Sequence, residues 1–163
     1  MNYRIQHKER QRFLALVRTF SNESRKVPDF WTECHEKNLI APMQALRREG
    51  KRALYGLCSL LKDRDAHFNY GIGIPIDEDT DQTQLARMIG NGYSIWETEP
   101  NDYAVFECFG ADSRCLDETW SKFFKEFVPQ TGYTQAEDTD YEVYPENGEK
   151  GLFCELWIPV KKS

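Results

Sequence analysis

The chain has 163 residues, 40% of them apolar, and sets 21 Lys and Arg against 27 Asp and Glu for a net charge of −6. That length suits one domain or two small fused modules. The acidic balance argues against nucleic acid, whose phosphates need clustered cations, and against anionic membrane surfaces.

Aromatics are the anomaly: 10 Phe, 8 Tyr and 4 Trp make up 13% of the chain. A neutral or cationic partner fits this composition. No stretch approaches the roughly 18 apolar residues of a membrane span, and the opening MNYRIQHKERQR lacks the apolar core of a signal peptide. Cys34, Cys58, Cys108, Cys115 and Cys154 form no CxxC pair, and the histidines are scattered. The expectation is a cytoplasmic protein with reduced thiols, no disulfide framework and no metal. No cofactor is expected either: GxSxG and P-loop motifs are absent, and Gly71-Ile72-Gly73 has no helix behind it to make a dinucleotide loop.

Residues 13–20 (FLALVRTF) read as a strand. Val27-Pro28-Asp29 opens a helix with Phe30, Trp31 and Cys34 on its inner stripe, which Pro42 interrupts and Gly50 ends. Residues 53–60 and 67–76 are two more strands, with the polar turn LKDRDA between them. Residues 77–84 (DEDTDQTQ) are nearly devoid of apolar side chains and read as a linker. A short strand over 93–96, a turn at Pro100-Asn101-Asp102 and a strand over 103–109 follow. Leu116, Trp120, Phe123 and Phe127 recur at helical spacing, and Pro129 and Gly132 close that helix. Residues 141–144 and 152–160 are the last strands, separated by the turn PENGEKG.

Each half therefore reads strand, helix, strand, strand. FLALVRTF aligns with YAVFECFG, Phe30-Trp31 with Thr119-Trp120, and GIGIP (71–75) with ELWIP (155–159). This predicts an α+β fold: a duplicated strand–helix–strand–strand module forming one antiparallel sheet of about eight strands with helices packed on it, and a ligand pocket between the halves. The chain is one domain, residues 1–163, with a first module over 1–76, the linker over 77–84 and a second module over 85–163.

The last strand carries the site argument. Leu152, Cys154, Leu156, Ile158 and Val160 share one face, the core face. Phe153, Glu155, Trp157 and Pro159 share the other, so one carboxylate lies between two large rings. The matching strand of the first half puts Gly71 and Gly73 where the second has Glu155 and Trp157. Facing modules would then pair a charge and rings with empty space. A carboxylate in an aromatic pocket suits an organic cation, each ring face adding about 0.5–2 kcal/mol. The same residues also fit a solvent face with stray aromatics, and the glycines also fit a bulge. Glu142 is a second candidate acid, with exposed strand as its alternative. Trp31 and Trp120 fit core anchors or pocket lining. Glu107 aligns with Arg18, which allows a cross-module ion pair or a solvated side chain. Cys34 and His35 are adjacent on a helix and do not converge as a catalytic pair.

The motifs YAVFECFG (103–110), ETW (118–120), YEVYPEN (141–147) and CELWIPV (154–160) resemble the GyrI-like family. This small-molecule-binding domain is also the effector-binding part of AraC-type and MerR-type multidrug-responsive regulators. VPDFW (27–31) and FNYGIGIPI (68–76) extend the resemblance more loosely into the first half. The resemblance implies a central pocket for lipophilic cations with a buried glutamate, matched here by Glu155, and by Glu142 in YEVY. Trp157 and Trp120 would line it. The regulators join this domain to a helix-turn-helix, whereas here the β pattern begins within the first 20 residues, so direct binding of nucleic acid is not expected. The resemblance also implies alternatives: a hydrolase using a pocket carboxylate as general base, or a partner of a regulator or gyrase.

Overall fold

The computed structural model of the chain describes residues 1–60 and 66–163. The turn expected over LKDRDA falls almost wholly within 61–65, outside the described residues. The first half contains β1 (Arg4–Lys8), β2 (Arg12–Ser21), α1 (Val27–Glu36), α2 (Ile40–Gln44), β3 (Leu54–Leu60) and β4 (His67–Pro75). After α3 (Gln82–Met88) and β5 (Ser94–Glu97), the second half contains β6 (Asn101–Phe109), α4 (Arg114–Lys122), α5 (Val128–Thr131), β7 (Tyr133–Gln135), β8 (Asp140–Tyr144) and β9 (Leu152–Lys162). A π-helical turn, Phe123–Phe127, joins α4 to α5. Pro129 therefore sits in the first turn of a further helical segment, and Gly132, at φ +77°, ends it.

The strands form one antiparallel sheet in the order β1-β6-β9-β8-β3-β4-β2-β5, with β7 also on β9. Its centre, β6-β9-β8 against β3-β4-β2, repeats one arrangement about a pseudo-two-fold axis. The registers agree with the sequence alignment. Ile72 pairs with Leu16 and Gly56, while Leu156 pairs with Phe106 and Glu142. Setting GIGIP on ELWIP thus makes Gly56 and Glu142 equivalent, and these two also pair with each other across the junction of the halves. The axis runs between them.

One face of the sheet carries the helices. Leu14, Leu16, Ile72 and Ile74 pack under α1, α2 and α3 with Phe30, Cys34, Met43 and Leu85. Phe106, Leu156 and Ile158 pack under the α4 run with Phe123 and Phe127. The other face carries Phe13, Leu57, Tyr103, Tyr141 and Trp157. There the rings of Phe13 on β2 and Tyr141 on β8 are 6.0 Å apart, although two strands lie between. Flat strands spaced about 4.8 Å would hold them much farther apart, so the sheet curls around this face and buries it without helices.

Three elements escape the sequence pattern. β1 is a short, charged edge strand, which carries no apolar alternation. β7 has three residues. The segment expected as a linker is packed structure: Asp77 and Thr80 bind the buried Arg47 side chain, and Asp81 caps α3 through Thr83 N and Gln84 N. α3 was invisible because Leu85 is its only buried residue. No helix among the described residues is long and apolar enough to cross a membrane.

Candidate functional site

A cavity of about 900 Å³ opens on the helix-bearing face at the junction of the halves. α1 and the turn before it supply one wall, with Arg25, Val27, Pro28, Trp31 and His35. The β6–α4 turn and the start of α4 supply the other, with Asp112, Ser113, Leu116 and Asp117. Val27 and Leu116 hold matching places in the two modules. The floor is Leu54, Tyr70, Glu142, Tyr144 and Phe153.

Glu142 is the acid on the floor of this cavity, with Asp112 and Asp117 in its wall. The hydroxyls of Tyr70 and Tyr144 both donate to its Oε1, at 2.9 and 2.8 Å. Trp31 Nε1–H in turn donates to the Tyr70 oxygen at 2.9 Å. Gly56, across the ladder, leaves the space: a Cβ there would stand 2.6 Å from Glu142 Oε1 and overlap the Tyr70 hydroxyl. Among the described residues no cationic side chain pairs with Glu142. Burial pushes its carboxyl pKa up, and the two phenol hydrogen bonds, which favour the ionised form, offset part of that rise. Asp140 lies two residues earlier on the same face and is pushed up to about 8, by burial first and by the Glu142 charge second. Trp31 meets Tyr144 edge-on at 5.2 Å, and Tyr144 meets Phe153 edge-on at 5.5 Å, so the carboxylate is framed by rings.

The structure separates the residues that strand alternation had grouped. Cys108 pairs with Cys154 and Phe109 with Leu152, so Phe153 is an unpaired bulge residue and turns to the helix side. Glu155 and Trp157 remain on the opposite face. Glu155, 24% exposed, pairs with Arg4 at 3.1 Å and accepts a hydrogen bond from Trp157 Nε1 at 3.2 Å. Trp157 is 6% exposed and stacks on Tyr141 at 5.6 Å. Gly71 and Gly73 lie outside the cavity: added Cβ atoms would meet the Trp96 ring at 3.0 Å and the Leu14 carbonyl at 2.6 Å. They admit a neighbouring ring and a close strand. Trp120 is half-buried, stacks on Phe124 and is not part of the lining; its counterpart Trp31 is. Glu107 does not reach Arg18, which pairs with Glu33; it stands directly opposite Glu155 in the ladder. Its nearest cavity, about 330 Å³ beside β1, contains neither Glu142 nor Glu155.

The sequence sets a charge against glycines on β9 and β4; the acid–glycine pair at this cavity is Glu142 on β8 and Gly56 on β3. The signal for Gly56 was present in the alignment, which sets ALYGL against YEVY once the outer strands are matched. Trp31 carried the signal of its match with Trp120, which allowed pocket lining; Tyr70 carried none beyond aromaticity.

A duplicated module, a curled antiparallel sheet and a cavity on the module junction together make the GyrI-like architecture. Residues 4–160 match the family model of Cass2, the integron-associated effector binding protein, and the chain belongs to that family. No curated protein matches the chain. Among solved structures it is similar to SAV2435 bound to tetraphenylphosphonium, at 20% identity and TM-score 0.79, over 99% of this chain and 94% of that one. It is similar to the Vibrio cholerae integron cassette protein VCH_CASS2, at 17% identity and TM-score 0.62, over 98% and 95%. It is also similar to the EcmrR C-terminal domain, at 10% identity and TM-score 0.64, over 99% and 98%. At these identities the likeness is one of fold.

Proposed function

We propose that the chain binds lipophilic organic cations in the junction cavity, with Glu142 as the counter-charge, and serves as a ligand-sensing or ligand-sequestering unit. The observation that carries this is a carboxylate on a ring-lined floor with no cationic partner among the described residues. Both phenol protons converge on Oε1, so that among the described residues Oε2 is left to meet an incoming group. A buried carboxylate without a cation is costly, and an entering cation relieves that cost while gaining ring-face attraction from Trp31, Tyr144 and Phe153. The family's effector-binding description and a similar fold bound to a phosphonium support the reading. Rhodamine 6G and tetraphenylphosphonium are suitable probes in fluorescence and calorimetric titrations. Glu142→Gln, which keeps both acceptor geometry and size, weakens each by about tenfold or more, the loss of roughly 1.5–3 kcal/mol from one charged contact. Glu155→Gln leaves both affinities unchanged. Equal affinity of wild type and Glu142→Gln overturns the proposal.

A second reading has one supporting observation, the raised carboxyl of Glu142, which suits a general base. Turnover of activated esters above the buffer rate, abolished by Glu142→Gln, would favour it over binding alone.

A further inference from the structure

Three of the five cysteines lie together behind the cavity wall. Cys108 on β6 and Cys154 on β9 are directly opposite in the ladder and almost wholly buried. Cys115, in the first turn of α4, belongs to the same apolar cluster. It donates to the Asp112 carbonyl at 3.1 Å. Cys108 Sγ is 3.3 Å from the Thr119 hydroxyl. In this cluster the Cys108–Cys154 pair is set apart by position. Directly opposed residues hold their Cβ atoms about 4.5–5.5 Å apart, close to the roughly 3.5–4.5 Å of a disulfide. The register shift that bulges Phe153 falls next to this rung, where the ladder can yield the remaining distance.

We propose that Cys108 and Cys154 form a redox modification site, oxidised by small hydroperoxides to a cross-strand disulfide that alters the cavity floor. Cys108 attacks the terminal peroxide oxygen. The O–O bond breaks, the alcohol leaves with the thiol proton, and Cys108 becomes a sulfenic acid. Cys154 then attacks that sulfur and water leaves. Two thiols and one hydroperoxide give one disulfide, one alcohol and one water, with two electrons passing from sulfur to oxygen. The assignment of roles follows the pair's asymmetry. The facing Cys154 thiol, as hydrogen-bond donor, draws Cys108 below the usual thiol range, while Cys154 itself is pushed up by the same interaction. Phe153, next in the chain to Cys154, lines the cavity, so the cross-link is felt at its floor. That last link rests on the binding function proposed above.

The test uses purified, reduced full chain and cumene hydroperoxide. Intact mass falls by about 2 Da on loss of two hydrogens, reversibly with dithiothreitol, and peptide mapping joins Cys108 to Cys154. Cys154→Ala traps a sulfenic acid on Cys108 that dimedone labels, whereas Cys108→Ala yields neither product. Circular dichroism checks that each variant folds. No mass loss, or a cross-link through Cys34, Cys58 or Cys115, overturns the site. Rhodamine 6G affinity of the oxidised protein differs from that of the reduced protein by threefold or more; equal affinities overturn the link to the cavity. Glu142→Gln tests the binding reading separately, since neither thiol is changed in it.

Discussion

Position 56 shows how little room the floor of the cavity leaves. Any side chain there meets two polar atoms that already share a hydrogen bond. Gly56→Ala therefore forces Tyr70 or Glu142 to move, and its expected cost is about 1–3 kcal/mol in thermal unfolding, with weakened cation binding. The two acids on β8 set the pH behaviour. Their folded carboxyls titrate above their unfolded values, so between those limits the folded state holds more protons than the unfolded one. Their contribution to stability is then greatest at low pH and falls as pH rises from about 4 toward 8, by at most about 1.4 kcal/mol per unit for Asp140. Asp140→Asn flattens this slope, which chemical denaturation at several pH values measures. Affinity for a permanent cation runs the other way and rises with pH, because only ionised Glu142 attracts it.

Elements differ in how much of themselves they write into sequence. β2, β4, β6 and β9 were legible because one face of each is continuously apolar, as in Leu14 and Leu16 or Leu156 and Ile158. The α4 run was legible from its stripe, although the π turn shifts its later residues. β1 and α3 bury too little to leave a period. The cavity was half legible: aromatic alternation found Phe153, yet for a reason the bulge invalidates, and it promoted Glu155 over Glu142 because both rings beside Glu155 are large. Which of the two lies at the junction cavity depends on which face the helices cover, a tertiary fact. The segment over 77–84 reads as a linker because it is polar, yet Asp77 and Thr80 serve one buried partner. Arg47, 6% exposed, donates to the Lys51 and Pro75 carbonyls, Asp77 and Thr80. Arg47→Ala strands those acceptors and the Asp77 charge, with an expected loss of about 3–5 kcal/mol in urea unfolding.

At the scale of the molecule, the net charge of −6 and the Glu142 carboxylate in the cavity make different claims on a cation. Surface attraction is screened within a Debye length of about 10 Å at 0.1 M salt, whereas a buried contact is screened far less. Affinity for tetraphenylphosphonium should change less than about twofold between 50 and 300 mM NaCl if Glu142 dominates. A steep decline would assign the attraction to the surface instead. The curl of the sheet makes this separation possible, since it gives the second face its own aromatic core and leaves the junction groove on the first face free.

The axis between Gly56 and Glu142 has a historical consequence. A homodimer of single modules could place only identical residues on that axis. Two glutamates would meet there and repel, while two glycines would offer no charge. A lone acid on such an axis requires two halves that differ, which joining them in one chain allows: one half carries the charge and the other the vacancy that accommodates it.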